Sequence, residues 1–350
     1  MSTDTIERRV RDAVARATGR DVSAEPVKRL AGHASMRSYW RVGAFPDSLV
    51  VMVMPPDAKP EEITNGGAPA VDPFLDVQAY LERLGVRVPA VRAVLEDRAQ
   101  GNLLVLEDLG DDMLETRLLA GADPRPLYER AIDALARLRA AAEREPAGCV
   151  AFGRAFEEEL YRWELDHFRE WLLEAWKGAA LSPGERAVVD REFDRIARAL
   201  STEPRGFTHR DYQSRNLMVL PGGEQAVIDF QDALLGPRQY DLVALLRDSY
   251  VELPPELVTA MLHRYLDQLA LAGGPRLEYG PFRETFDLLT VQRKLKDAGR
   301  FVFIDRVRKN PGFLVSIPAS LRYVREAFGR RPDLAELQTV LARHVPELAP

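Results

Sequence analysis

The chain has 350 residues, 46% hydrophobic and 29% charged, with a formal net charge of -6. That length and apolar content suit a folded protein of two domains, and the acidic balance argues against nucleic acid or an anionic membrane as main partner. Cys149 is the single cysteine, which excludes an internal disulfide and a cysteine metal cluster, and there is neither an apolar leader nor an 18-residue apolar run. A cytoplasmic protein acting on a small molecule is expected.

IERRVRDAVARATG places Ile6, Val10 and Val14 four apart and stops at Gly19, which predicts an amphipathic helix. Three β-rich runs follow, VKRLAG (27 to 32), SYWRVGA (38 to 44) and SLVVMVMP (48 to 55), set apart by Gly, Pro and Asp. AKPEEITNGGAPAV (58 to 71) is expected to be a flexible loop. Asp72 and Pro73 cap and open a helix that runs to Leu84 and stops at Gly85. NLLVLEDLGDD (102 to 112) predicts a buried strand entering an acidic turn, with LEDLG as a hinge. Beyond it the period becomes helical, and Asp123-Pro124, Ser182-Pro183 and Leu253-Pro254-Pro255 each open a long helical segment. The expected fold class is α+β: a small β-rich N-terminal lobe, residues 1–106, and a large helical C-terminal lobe, residues 107–350.

Chemistry concentrates in FTHRDYQSRNLMVLPGGEQAVIDFQD, residues 207 to 232. NLMVL and AVIDF flank a loop with two glycines, so a hairpin is predicted, with Asn216 opening its first strand and Asp229 near the end of the second. An amide oxygen and a carboxylate are hard ligands suited to Mg²⁺ that arrives with a nucleoside triphosphate. Asp211, five residues before Asn216, is placed to take a proton from a substrate hydroxyl. Positioning, charge neutralisation and a carboxylate that orients the nucleophile are the parts of phosphoryl transfer. Each piece alone would be a turn or a cap. His-x-Asp, Asn at +5, a glycine hairpin and Ile-Asp-Phe, in that order, match the catalytic loop and metal motif of kinases.

THRDYQSRN followed by VIDFQDALLGPRQYDLVALLRD resembles the aminoglycoside phosphotransferase and choline kinase superfamily, over nearly the whole chain. GHASMRSYWRV, LVVMVMPPD, LLVLEDLGDD and QRKLKDAGRF are together most similar to the kinases that phosphorylate the anomeric hydroxyl of N-acetylmuramate and N-acetylglucosamine in cell-wall recycling. The resemblance implies a bilobal protein-kinase-like fold, ATP and Mg²⁺ as cofactors, and an amino sugar as the small-molecule partner. It makes Asp211 the catalytic base, Asn216 and Asp229 the metal ligands, and His209 structural. Asp241 would cap the following helix and brace the catalytic loop. Gly32, His33, Ala34, Ser35 and Arg37 would cover the phosphates, and the backbone of Glu107 and Leu109 would face adenine.

One departure stands out. Kinases of this fold carry a phosphate-pairing lysine on the third strand, where this chain has Met52 and Met54. Arg37, Arg41 and Lys59 are the candidates to supply that charge. Arg293 and Lys296, in the basic run QRKLKDAGRF, either face the lactyl carboxylate of N-acetylmuramate, support the acidic loop residues, or form a solvated helix face. Asp232 either accepts from sugar hydroxyls or caps a turn. Trp163, His167 and Trp171 recur every four residues on one helix face, a spacing typical of packing, with sugar stacking as the alternative. The competing functions are an aminoglycoside or other small-molecule hydroxyl kinase, and a nucleotide-binding pseudokinase scaffold.

Overall fold

The computed structural model describes residues 3–30, 37–54, 71–97 and 99–350. Gly32, His33, Ala34, Ser35, Lys59 and the expected loop 58–71, apart from Val71, lie outside the described residues. The chain divides into two compact units, Met1–Gly67 with Arg87–Asp112 and Met218–Ile228, and Ala68–Val86 with Met113–Leu217 and Asp229–Pro350.

The first unit is built on a five-stranded antiparallel sheet. Its strands are β1 (Val27–Arg29), β2 (Ser38–Val42), β3 (Leu49–Val53), β4 (Val91–Leu95) and β5 (Leu103–Glu107), in the order β1-β2-β3-β5-β4. Because side chains alternate across a strand, Trp40, Val42, Val51, Val53, Leu103 and Val105 share one face. Helix α1 (Thr3–Thr18) buries Val10, Ala13 and Val14 against them and ends at Gly19, whose φ of 69° suits glycine. The opposite face carries Arg41, Val50, Met52 and Leu104, with Arg41 paired to Val50 and Met52 to Leu104.

The second unit is mainly helical: α2 (Pro73–Arg83), α3 (Leu114–Leu119), α4 (Pro124–Arg144), α5 (Glu158–Phe168), α6 (Pro183–Ser201), α7 (Gln239–Leu246), α8 (Pro255–Leu271), α9 (Tyr279–Arg308), α10 (Ile317–Phe328) and α11 (Ala335–His344). The expected starts are present. Asp72 accepts from the N–H groups of Phe74 and Leu75, Asp123 accepts from Arg125, and Ser182 forms a reciprocal capping box with Glu185. A short antiparallel pair joins β6 (Arg205–Thr208) to β9 (Leu234–Pro237), while β7 (Leu217–Val219) and β8 (Gln225–Val227) form the predicted hairpin.

The division differs from the expected boundary at residue 106, because packing rather than chain continuity decides membership. Tyr80 of α2 packs on Phe152 and Phe207, with centroids 5.5 Å away in each case, and so belongs with the helices. The hairpin belongs with the sheet unit: Val219 donates its N–H to the Asp112 carbonyl at 2.7 Å, and Val227 to the Arg87 carbonyl at 2.8 Å. No helix among the described residues is long and apolar enough to cross a membrane.

Candidate active site

Strand β6 delivers the chain into His209-Arg210-Asp211, and backbone bonds fix the loop's shape. Arg210 holds φ at 79°, a left-handed conformation that costs an L-residue about 1–2 kcal/mol. Asp241, buried in the first turn of α7, compensates by accepting the N–H groups of His209 at 2.8 Å and Arg210 at 2.9 Å. It braces the loop but does not occupy the cap position of its helix. Buried His209 accepts the Asp211 N–H through Nδ1 at 3.2 Å and meets Tyr212 edge-on. Ser214 gives its N–H and its hydroxyl to Asp248, and Arg215 grips Glu115 while lying 3.5 Å over the Tyr250 ring. With the backbone held on every side, the Asp211 side chain keeps 36% of its surface exposed.

Cations dominate the electrostatics at Asp211. Partial burial pushes its carboxyl up, but Arg293, Lys296, Arg210 and His209 outweigh burial and hold it below the ordinary value, so it is ionised near neutral pH. Arg293 of α9 is 2% exposed, donates from Nη1 to the Arg210 carbonyl at 2.8 Å and from Nη2 to Asp211 Oδ1 at 3.2 Å, and lies 4.8 Å from the Tyr240 ring. Next to it, fully buried Glu164 of α5 accepts from Gln292 at 2.7 Å and Arg210 at 3.5 Å and sits 4.0 Å from Lys296. Asp297 gathers Lys294 at 2.8 Å and Lys296 at 3.4 Å. Burial alone would raise the Asp297 carboxyl, yet Lys294, Lys296 and Arg293 hold it far below the usual carboxylate range. The basic run is thus a buried ion-pair cluster and not a solvated helix face.

Asn216 and Asp229 stand at the open end of the β7–β8 hairpin, one residue before β7 and two after β8. Asn216 donates Nδ2 to the Asp211 carbonyl at 2.8 Å, which settles the orientation of its amide oxygen. Asp229 holds φ at 64°, and its Oδ1 accepts from Gln231 Nε2 at 2.8 Å; the same amide reaches exposed Asp232 at 3.1 Å. Among the described residues no group of three or more His, Cys, Asp or Glu side chains is arranged to hold a metal. Two hard oxygen donors fit Mg²⁺, which keeps ligands from substrate phosphates and water rather than an all-protein cage.

In the sheet unit, Glu107 spends its side chain on Arg87 and the Ala90 N–H, and its own N–H on the Ala90 carbonyl. The Leu109 N–H has no hydrogen-bond partner among the described residues, although Leu109 is only 8% exposed. A backbone donor with no partner among the described residues suits an adenine ring nitrogen. On β3, Met52 is fully buried. Arg41 is already committed: all three guanidinium nitrogens bond the carboxylates of Asp108 and Asp111, at 2.5 to 2.9 Å. It ties β2 to the turn after β5, which removes it from the candidates for the missing lysine.

Sequence reasoning missed Glu164, Gln231 and Asp248. Glu164 had one signal, a carboxylate inside the Trp163, His167, Trp171 stripe; the other two had none. The stripe packs with Phe303 of α9. His167 lies 5.4 Å from Trp163, 6.0 Å from Trp171 and 5.2 Å from Phe303.

A loop of this form on an α+β fold with an antiparallel sheet and a helical unit defines a kinase-like phosphotransferase. The chain belongs to the phosphotransferase enzyme family, whose model matches residues 26–279. It is 38% identical over 311 residues to an N-acetylmuramate/N-acetylglucosamine kinase of Pseudomonas aeruginosa, covering 88% of this chain and 86% of that protein. Proteins of the same name from Pseudomonas putida and Neisseria meningitidis are each 32% identical, covering 92% and 90% of this chain and 89% of each relative. Among solved structures, a choline kinase from Streptococcus pneumoniae superposes with a TM-score of 0.59 at 15% identity, over 92% of this chain and 99% of that one. An aminoglycoside 2'-phosphotransferase in its GDP complex gives 0.60 at 12% identity, over 93% and 99%. The protein is a nucleotide-dependent kinase with the protein-kinase-like fold expected from its sequence.

Proposed function

We propose that the protein transfers the γ-phosphoryl group of ATP to the anomeric hydroxyl of an amino sugar, N-acetylglucosamine or N-acetylmuramate or both, giving the sugar 1-phosphate and ADP. The observation that carries the reading is a partly exposed, ionised Asp211 held by a braced loop, in a chain 38% identical over most of its length to a relative bearing that substrate name. Asp211 accepts the hydroxyl proton as the sugar oxygen attacks phosphorus. The anomeric hydroxyl is more acidic than the other sugar hydroxyls, so a weak carboxylate base suffices there. Asn216 and Asp229 hold Mg²⁺, which neutralises charge on the phosphates. The Leu109 N–H and the Glu107 carbonyl receive adenine, and Arg37 with residues 32–35 covers the phosphates. The reading places the enzyme in the cytoplasm, where ATP is supplied. The test is a coupled ADP-release screen over amino sugars, aminoglycosides and choline. Turnover confined to N-acetylglucosamine and N-acetylmuramate supports the proposal; turnover of aminoglycosides or choline alone, or of nothing in the presence of bound nucleotide, overturns it.

A further inference from the structure

We infer that Arg293 is the residue that positions Asp211 for phosphoryl transfer, and that the basic run of α9 acts on the reaction through this carboxylate and not through the charge of the acceptor. The inference rests on the reading that Asp211 takes the acceptor's proton. Arg293 is held from four directions: the Arg210 carbonyl at 2.8 Å, Asp211 Oδ1 at 3.2 Å, Asp297 at 3.9 Å and the face of Tyr240 at 4.8 Å. A guanidinium presents its donors in a rigid planar fork. Bound at once to the carbonyl before Asp211 and to one Asp211 oxygen, the fork fixes the side chain relative to its own backbone. No described residue donates to Oδ2, so that oxygen is left to receive the proton.

The two lysines of the run are committed as well, and Arg300 lies 4.8 Å from the Phe303 ring. Lys294 Nζ reaches Asp297 at 2.8 Å and Ser249 Oγ at 3.2 Å, and Lys296 lies between Asp297 and Glu164. Arg293, Lys294 and Lys296 are thus each paired with a carboxylate of Asp211, Asp297 or Glu164, and the side chains of Arg293 and Lys294 are no more than 3% exposed. An acceptor carboxylate would have to displace one of these paired carboxylates to bond here, which leaves the displaced charge without its partner. Glu164 adds a second brace, since it touches both Arg210 of the loop and Lys296 of α9.

The experiment compares Arg293→Met and Arg293→Lys with wild type on N-acetylglucosamine and N-acetylmuramate, recording kcat and KM for each sugar and for ATP. A small displacement of a reacting group costs about 10²-fold in rate. The expected result is a kcat lowered by about that factor for both sugars, KM for ATP within a few-fold of wild type, and an unchanged ratio of kcat/KM between the acidic and the neutral sugar. The double variant Asp211→Asn, Arg293→Met should be no slower than Asp211→Asn alone. Loss confined to N-acetylmuramate, or a double variant slowed by the product of the two single effects, overturns the inference. Should Arg293→Met not fold, Arg293→Lys decides alone: it keeps the charge but not the fork, so it should slow both sugars alike, and wild-type turnover would overturn the inference. If wild type phosphorylates neither sugar, the proposed substrate is wrong, and the comparison of Asp211 with Arg293 is then run on whatever acceptor the ADP-release screen returns.

Discussion

The Asp241 carboxylate accepts the Arg210 N–H at 2.9 Å, where Arg210 holds a φ of 79°. A residue on α7 thereby stabilises a left-handed backbone conformation that is costly for an L-residue. Asp241→Ala removes this bond and the one to His209. Each hydrogen bond to a charged acceptor is worth about 1.5–3 kcal/mol, so a loss of at least that size in denaturant unfolding is expected, together with a kcat lowered more than KM for ATP. Unchanged stability would mean that the loop keeps its shape without Asp241.

Asp211→Asn removes the proton acceptor and retains the bulk of the side chain. General-base contributions are about 10²- to 10⁴-fold, and kcat should fall within that range while nucleotide affinity, read by calorimetry, stays near wild type. Wild-type turnover in this variant would remove Asp211 from the chemistry.

Asn216→Ala and Asp229→Ala should each raise the Mg²⁺ concentration needed for half-maximal rate. Asp229→Ala should be the more severe, because a charged oxygen binds a hard cation more strongly than a neutral amide does. A Mg²⁺ titration of activity reads both effects. The opposite order, or normal Mg-ATP binding by Asp229→Ala, would contradict the assignment.

At Gly299, α9 packs directly against the backbone of α5. A Cβ built there would lie 2.7 Å from both the His167 carbonyl oxygen and the Phe168 Cα. Alanine in a helix interior is ordinarily favoured over glycine by about 1 kcal/mol, but overpacking costs about 1–3 kcal/mol, and backbone atoms cannot rotate away. Gly299→Ala should therefore lower the thermal midpoint. It should also lower kcat, because the two helices it pushes apart carry Arg293 and Glu164. A raised midpoint would show that the helices separate freely.

What could be read in the sequence was local. Caps at Asp72, Asp123 and Ser182, the stop at Gly19, and the β7–β8 hairpin with Asn216 and Asp229 at its open end all follow from residues within a few positions of one another. Strand β4 was missed because VRAVL sits at the edge of the sheet and is nowhere fully buried, which leaves no clear apolar run to detect. Strand β9, LLGP, carries a glycine and a proline and exists because β6 pairs with it. The fates of the arginines were hidden for a related reason. Arg41 meets Asp108 and Asp111 about 70 residues away, and Arg293 meets Asp211 82 residues away. Pairings at that distance leave no periodic trace in one chain, so the sequence leaves the basic run of α9 open between an acceptor site, a support for the acidic loop residues and a solvated face, and only the Arg293–Asp211 contact shows that it is packed against the catalytic loop.

The position of the transferred phosphate tests the account most directly. Phosphorus NMR of the product formed from N-acetylglucosamine and ATP should show a sugar phosphate coupled to the anomeric proton, and the methyl glycoside of the same sugar, which lacks that hydroxyl, should not react. A 6-phosphate, or turnover of the methyl glycoside, would contradict the anomeric assignment and with it the proposed function.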